Sequence, residues 1–94
     1  MTAKDVRAAI EAELRDIQTS RGLRLPGLTD NTRPIGDIDE FDSYLGQDAT
    51  ANILIALDGA PKMKCPFSSK RNGKYLTLRE ITIAFCRHLN IRGM

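Results

Sequence analysis

The chain has 94 residues, a net charge of +2 and an apolar fraction of 41%, which suffices for one small domain, spanning residues 1–94, but not for two. No stretch approaches the roughly 20 consecutive apolar residues of a membrane helix, so we expect no membrane span. The N-terminal sequence is too charged for a signal peptide, which favours a cytoplasmic protein.

The first predicted element is a helix over about residues 3–20. Thr2 is placed to cap it, with Asp5 three residues later at the positive end of the helix. Gly22 is a stop signal. The apolar positions recur at helical spacing, and they are Val6, Ile10, Leu14 and Ile17.

A long loop is predicted next, because Pro26, Gly27, Pro34 and Gly36 interrupt any regular element. Apolar residues recur within it, which indicates a loop that lies across a core rather than a free linker. They are Leu23, Leu25, Leu28, Ile35, Ile38 and Phe41. A loop of this length inside a small domain is usually functional.

The second helix is predicted over about residues 43–57, and it begins near Asp42-Ser43. Serine and aspartate are both preferred at helix N-caps. Gly59 and Pro61 signal its end. One apolar face is expected to consist of Leu45, Ala49, Ile53, Ala56 and Leu57.

The basic segment 62–76 is predicted to hold at most one short helical turn, with Met63 and Phe67 in the core and a turn at Asn72-Gly73. Thr77 and Glu80 have the spacing of a capping box. That box opens a last helix over about residues 78–89, with one side formed by Ile81, Ala84, Phe85, His88 and Leu89. The predicted fold class is therefore all-α: a bundle of three main helices and a short helical turn, with a long loop between the first two helices.

Charge is distributed unevenly along the chain. Residues 30–58 hold one basic and seven acidic side chains, a net charge of −6, whereas residues 59–94 hold eight basic and one acidic, a net charge of +7. A partner that docks on the acidic third is expected to be basic.

Few residues offer metal or nucleophile chemistry. His88 is the only histidine, and no CxxC or HxxxH pattern exists, so we expect no metal site. The spacing of Cys65 and Cys86 permits a disulfide, but two scattered cysteines without an export signal favour free thiols. Cys86 falls in an apolar helical pattern, which places it in the core, and Cys65 lies in a loop.

The order of elements and three segments resemble the acyl carrier protein family. The local match is Asp42-Ser43, where that family has Asp-Ser-Leu at the start of its second helix. The approach PIGDIDEFDSYLGQDAT is similar to that of diverged family members, and KYLTLREITIAFCRHL is similar to the family's last helix, entered through a threonine. The resemblance covers nearly the whole chain in layout.

The resemblance implies that Ser43 carries 4′-phosphopantetheine, transferred from coenzyme A by a phosphopantetheinyl transferase. Asp42 would assist recognition by the transferase and would cap the helix. The arm's thiol would hold acyl or aminoacyl groups as thioesters for loading and transfer enzymes. The chain itself would be a monomeric carrier and not an enzyme. Tyr44, Asp48 and Ala51 would face partner enzymes. The core residues expected to leave room for an acyl chain are Leu45, Ile53, Leu57, Ile81 and Phe85.

Two departures from the family pattern indicate a specialised pathway. Tyr44 replaces the usual leucine, and acidity has moved from the second helix into the loop before it. An unmodified interaction module remains the main alternative, with Ser43 as a helix cap. The acidic run from Asp37 to Asp42 lacks the glycine and final glutamate of an EF-hand loop. A small nucleic-acid binder with a basic surface is the third alternative, but the basic third shows no nucleic-acid-binding motif, so nucleic acid is not an expected partner.

Overall fold

The computed structural model of the protein describes residues 1–91. It is a small, mostly helical globule, and the three main helices are confirmed to within one residue of their predicted bounds. In chain order the elements are α1 (Ala3–Ser20), α2 (Pro34–Asp37, a single turn), α3 (Ser43–Ala56), β1 (Lys70–Arg71), β2 (Lys74–Tyr75) and α4 (Leu78–His88). Helix α1 packs against both α3 and α4.

The predicted cap of α1 by Thr2 and the predicted capping box of α4 are confirmed, and the cap of α1 is also a capping box. The Thr2 hydroxyl accepts from the Asp5 N–H, and the Asp5 carboxylate accepts from the Thr2 N–H. At α4, the Glu80 carboxylate accepts from the Thr77 N–H at 2.9 Å while the Thr77 hydroxyl accepts from the Glu80 N–H at 3.3 Å. These backbone hydrogen bonds to ionised carboxylates lower the pKa of both Asp5 and Glu80.

Each main helix ends at a residue with positive φ. Gly22 (φ 67°) follows α1, Asp58 (φ 53°) follows α3, and Asn90 (φ 57°) follows α4. In each case the next residue's N–H donates five residues back, as Gly59 does to the Leu54 carbonyl at 2.9 Å. The expectation that Gly59 itself stops α3 is therefore corrected: Asp58 takes the left-handed conformation, which aspartate tolerates better than most residues.

The long loop lies across the core, as the sequence predicted. Ile38 and Phe41 are buried in it. Its carbonyls also accept from the first two N–H groups of α4, since the Leu78 N–H donates to Thr32 at 2.8 Å and the Arg79 N–H to Asp30 at 3.2 Å. These N–H groups have no partner inside the helix, so the loop completes the capping of α4.

Residues 62–76, where at most one short helical turn was expected, hold none. The segment makes a turn, in which the Ser69 N–H donates to the Pro66 carbonyl, and then an antiparallel hairpin that pairs Lys70 with Tyr75. Asn72 (φ 53°) and Gly73 (φ 76°) both have positive φ, which is the requirement of a two-residue type I′ hairpin turn. The fold is thus mostly helical with one small hairpin, and the short helical turn is α2 in the first loop.

The core is centred on Phe67, which is fully buried. Its ring makes edge-to-face contacts with Phe41 at 5.5 Å and with Phe85 at 6.4 Å between centroids. One predicted core position is wrong: Ala56 is exposed, and Leu54 is buried instead, because the buried face of α3 runs through Thr50 and Leu54 as well as through Ala49 and Ile53.

Removing the cap of α4 should destabilise the protein. We expect Thr77→Ala to lower the free energy of unfolding by about 0.5–2 kcal/mol, since the Glu80 N–H loses its acceptor. Urea denaturation measures the loss. Thr19→Ala is the control, because this exposed threonine in α1 caps nothing. Equal stability of Thr77→Ala and the wild type would contradict the assigned cap.

The same box should make stability depend on acid. Because the pKa of Glu80 is lowered from 4.5 in the folded state, its contribution is complete above pH 4.5 and is lost as the pH falls through the folded value. Glu80→Gln keeps an acceptor for Thr77 but cannot titrate. We therefore expect its stability to fall less steeply than that of the wild type below pH 4.5, measured by urea denaturation across pH. Parallel curves would show that Glu80 makes no such contribution.

Candidate functional site

Asp42 and not Ser43 caps helix α3. Asp42 has extended backbone angles, and its Oδ1 accepts from the Leu45 N–H at 3.0 Å. Ser43 is the first helical residue and is exposed. Among residues 1–91, the Ser43 hydroxyl has no hydrogen-bond partner. The interpretation of Ser43 as a simple cap is therefore wrong, and its hydroxyl is available to other molecules.

Side chains from the end of α1 hold the approach to Ser43. The buried Gln18 amide donates to the Asp39 carbonyl at 3.0 Å, and the Arg21 guanidinium donates to the Glu40 carbonyl at 3.0 Å. The Gln18 amide also donates to the Arg24 carbonyl at 3.2 Å. Phe41 is then buried directly before the cap. The residues just before α3 are consequently held by hydrogen bonds to α1 and by the burial of Phe41, although the loop has little regular structure.

Four exposed residues form one line along α3, and we name them the α3 stripe: Tyr44, Asp48, Ala51 and Ile55. Spacings of four, three and four residues place them on the same face of a helix. Tyr44 is 78% exposed and Ile55 is 77% exposed. Tyr44, Asp48 and Ala51 are the residues predicted to face partner enzymes. Ile55 was not predicted, although it lies eleven residues after Tyr44, which is a helical spacing for residues on one face.

The segment from the approach loop to the end of α3 carries exposed acidic residues. Six of them make no ion pair within residues 1–91: Asp37, Asp39, Glu40, Asp42, Asp48 and Asp58. Asp42 caps α3 and Asp48 belongs to the α3 stripe. Unpaired, exposed carboxylates attract basic groups and repel acidic ones.

Two grooves flank helix α3. One, of about 330 Å³, lies between α3 and residues 61–65 and is lined by Gln47, Thr50, Ala51, Leu54, Pro61, Met63 and Cys65. The other, of about 320 Å³, lies between α1 and α3 and is lined by Glu13, Asp16, Ile17, Ser20, Arg21, Leu45 and Asn52. Ile53, Ile81 and Phe85 are at most 1% exposed, so a chain that entered the core would have to displace them, whereas the grooves are already open.

The groove beside Met63 depends on a close approach between α3 and the segment that carries Phe67. A Cβ atom on Gly46 would lie 2.9 Å from the Phe67 Cβ, which is closer than real Cβ atoms come. The Phe67 Cβ is attached to the backbone and cannot rotate away. Glycine at position 46 therefore permits the packing of this segment on α3.

The other candidate groups lie elsewhere or are inert. The His88 Nε2 lies 2.8 Å from the Ala60 carbonyl and donates to it, since a carbonyl can only accept. Burial raises the pKa of the Cys86 thiol, which leaves it a poor nucleophile. Cys65 is half-buried, and both thiols are free. No three His, Cys, Asp or Glu side chains within the described residues are grouped to hold a metal ion.

Comparison with known proteins assigns no family. No protein-family model, no curated protein and no solved structure matches this chain. In the part of the chain that the structure describes, no helix has both the length and the apolar character needed to cross a membrane.

Gly46→Ala tests the close approach that forms the Met63 groove. Alanine favours a helix over glycine by about 1 kcal/mol, but overpacking against Phe67 costs about 1–3 kcal/mol. We expect a net loss of stability in urea denaturation. Gly27→Ala is the matched control, because a Cβ there meets open space. A Gly46→Ala protein more stable than the wild type would contradict the packing described.

Proposed function

We propose that this protein is a carrier that bears a 4′-phosphopantetheine arm on Ser43 and presents acyl or aminoacyl thioesters to the enzymes of a specialised biosynthetic pathway. The observation that carries the proposal is the position of the Ser43 hydroxyl. It is exposed at the first position of a 14-residue helix. Because Asp42 caps this helix, the Ser43 hydroxyl is not needed as a cap.

The first turn of α3 is suited to a phosphodiester on Ser43. The Asp42 side chain accepts from the Leu45 N–H, and the Asp42 carbonyl accepts from the Gly46 N–H. The N–H groups of Ser43 and Tyr44 donate to no acceptor within the described residues. Free N–H groups and the positive end of the helix dipole favour an anion at this point. The negative charge of the Asp42 carboxylate disfavours a second anion here. The hydrogen bond that this carboxylate accepts from the Leu45 N–H partly offsets that repulsion.

Loading would require a partner enzyme. The Ser43 Oγ would form a bond to the phosphorus nearest the pantetheine half of coenzyme A, the pyrophosphate P–O bond would break, and the nucleotide bisphosphate would leave. The hydroxyl proton would pass to a base of the transferase, since the only histidine of this chain is bonded to Ala60. The bound arm supplies the thiol that holds the cargo. This chain supplies attachment and a surface for recognition.

The α3 stripe supports docking by partner enzymes. Tyr44, Ala51 and Ile55 offer apolar contact area on one exposed face, and the surrounding carboxylates favour a basic rim on the partner. Tyr44 stands directly beside the reactive hydroxyl, where the family resemblance leads us to expect leucine. The proposed partners are therefore adapted to an aromatic ring at that position.

The acyl-carrier-like arrangement of the fold is part of the proposal. The order of elements supports it: a long helix, a long loop, a helix opened by Asp42-Ser43, an irregular segment and a last helix capped by Thr77. The hairpin at residues 70–75 is a departure, because it occupies the segment where the short helical turn was expected. The hairpin lies away from the Ser43 end of α3 in sequence and does not alter the residues that present the hydroxyl.

Intact mass tests the proposal. The protein is incubated with coenzyme A and a broad-specificity phosphopantetheinyl transferase, beside a carrier known to be loaded. We expect a phosphopantetheine-sized increase that is absent in Ser43→Ala and retained in the matched control Ser20→Ala, another exposed serine. Ser43→Ala should keep the wild-type unfolding midpoint, because the hydroxyl makes no bond within the described residues.

Two outcomes would contradict the proposal in different ways. An increase that persists in Ser43→Ala places the arm on another residue. No increase with several transferases, while the control carrier is loaded, favours the unmodified interaction module that uses the α3 stripe. If the wild-type protein is not loaded, Tyr44→Leu distinguishes two causes. Loading of this variant would show that the tyrosine ring alone keeps the transferase away, and no loading would show that the chain is not a substrate.

A further inference from the structure

A second open surface lies on the other charged part of the chain, between the hairpin and α4. This hairpin groove has a volume of about 320 Å³. Its floor is formed by Leu76, Ile83 and Ala84, which are half-buried, and its rim carries Lys70, Arg71 and Arg87, which are exposed. One concave surface therefore combines an apolar floor with a cationic rim.

The three cations of the rim differ in their contacts, and only Arg71 has a carboxylate partner within residues 1–91. The Lys70 ammonium lies 4.9 Å from the centre of the Tyr75 ring across the hairpin. The Arg71 side chain is 74% exposed, and its guanidinium lies 3.5 Å from a Glu80 oxygen, which is a long distance for an ion pair. Lys70 and Arg87 have no carboxylate partner among residues 1–91. The surface thus offers three accessible positive charges.

Glu80 can release Arg71 without loss of its structural role. Its Oε1 accepts from the Thr77 N–H in the capping box, while its Oε2 faces Arg71. An acidic ligand could accept from Arg71 in exchange for Oε2, and the cap of α4 would remain. Arg71 can therefore exchange its partner for a ligand carboxylate.

We propose that the hairpin groove binds an acidic amphipathic segment of a protein partner, with aliphatic side chains on the floor and carboxylates against Lys70, Arg71 and Arg87. Charge complementarity selects an acidic occupant, because residues 59–94 carry a net charge of +7. The aliphatic floor selects apolar side chains, in the manner of a helix laid in a groove. The contact is independent of any modification at Ser43.

A nucleic acid fits this surface less well. A phosphate backbone needs a continuous cationic path, and single strands are held by bases that stack on exposed aromatic rings. Here the floor is aliphatic, the Glu80 carboxylate lies on one side, and the half-buried Tyr75 ring already faces Lys70. These features disfavour phosphates and leave room for leucine-sized side chains.

Fluorescence anisotropy with synthetic probes tests the proposal. The probe is a labelled helical peptide with leucine along one face and glutamate elsewhere. Three comparison probes are the same peptide with lysine for glutamate, the same peptide with serine for leucine, and a labelled single-stranded oligonucleotide. We expect binding of the first peptide only, with weaker binding at higher salt and with amide NMR shifts confined to the hairpin and the outer face of α4.

Matched variants separate the groove from net charge. Lys70→Gln with Arg87→Gln removes two positive charges from the rim, and Lys4→Gln with Arg15→Gln removes two exposed charges from α1. We expect the rim pair to bind the acidic peptide about tenfold more weakly and the α1 pair to bind within about twofold of the wild type. Ile83→Ser should also weaken binding, with thermal melting to confirm that each variant folds.

Three outcomes would overturn the proposal. The first is an equal loss of affinity in the rim double variant and the α1 double variant, which would show that binding depends on net charge alone. The second is no binding of the acidic peptide by the wild-type protein. The third is tighter binding of the oligonucleotide that depends on Lys70 and Arg87, which would make the surface a nucleic-acid site. Because the probe carries no thioester and the protein no arm, none of these results bears on loading at Ser43.

Discussion

The packing of Phe67 on Gly46 is the contact on which the arrangement of the other elements depends. Phe67 enters the core because glycine at position 46 lets its Cβ approach α3, and its ring then meets Phe41 from the first loop and Phe85 from α4. Interiors packed to this density do not absorb an added methyl group without movement. One irregular segment therefore fixes the start of α3, the position of α4 and the Met63 groove together.

Caps and apolar periodicity made the helices predictable, because both are local signals. Thr2 with Asp5 and Thr77 with Glu80 mark starts that the structure places at the same residues. The hairpin was missed since its strands have only two residues each, too few to show a period, and its signal lay in the positive-φ pair Asn72-Gly73. The exposure of Ala56 and the burial of Leu54 were also missed, because α3 has apolar residues on most sides and periodicity alone could not choose its inner face.

The position of the candidate site and the cap by Asp42 were both predictable. Aspartate and serine both favour N-caps, and the family resemblance assigned the cap to Asp42 and the attachment to Ser43. The structure confirms the cap, since the Asp42 carboxylate accepts from the Leu45 N–H. The support of the loop before it could not be predicted from a local pattern, because Gln18 and Arg21, which hold the Asp39 and Glu40 carbonyls, are distant in sequence.

The separation of stability from chemistry follows from the same arrangement. Helix α3 is capped by Asp42, ended by Asp58 and packed through Gly46, so Ser43 and the α3 stripe contribute little to holding the fold together. Exposed Tyr44 and Ile55 give up the free energy of burial, about 1.5–3 kcal/mol for a large apolar side chain. Exposed apolar area of this kind supports the transient docking proposed for the α3 stripe. The proposed hairpin groove is basic, so the two proposed surfaces would attract partners of opposite charge.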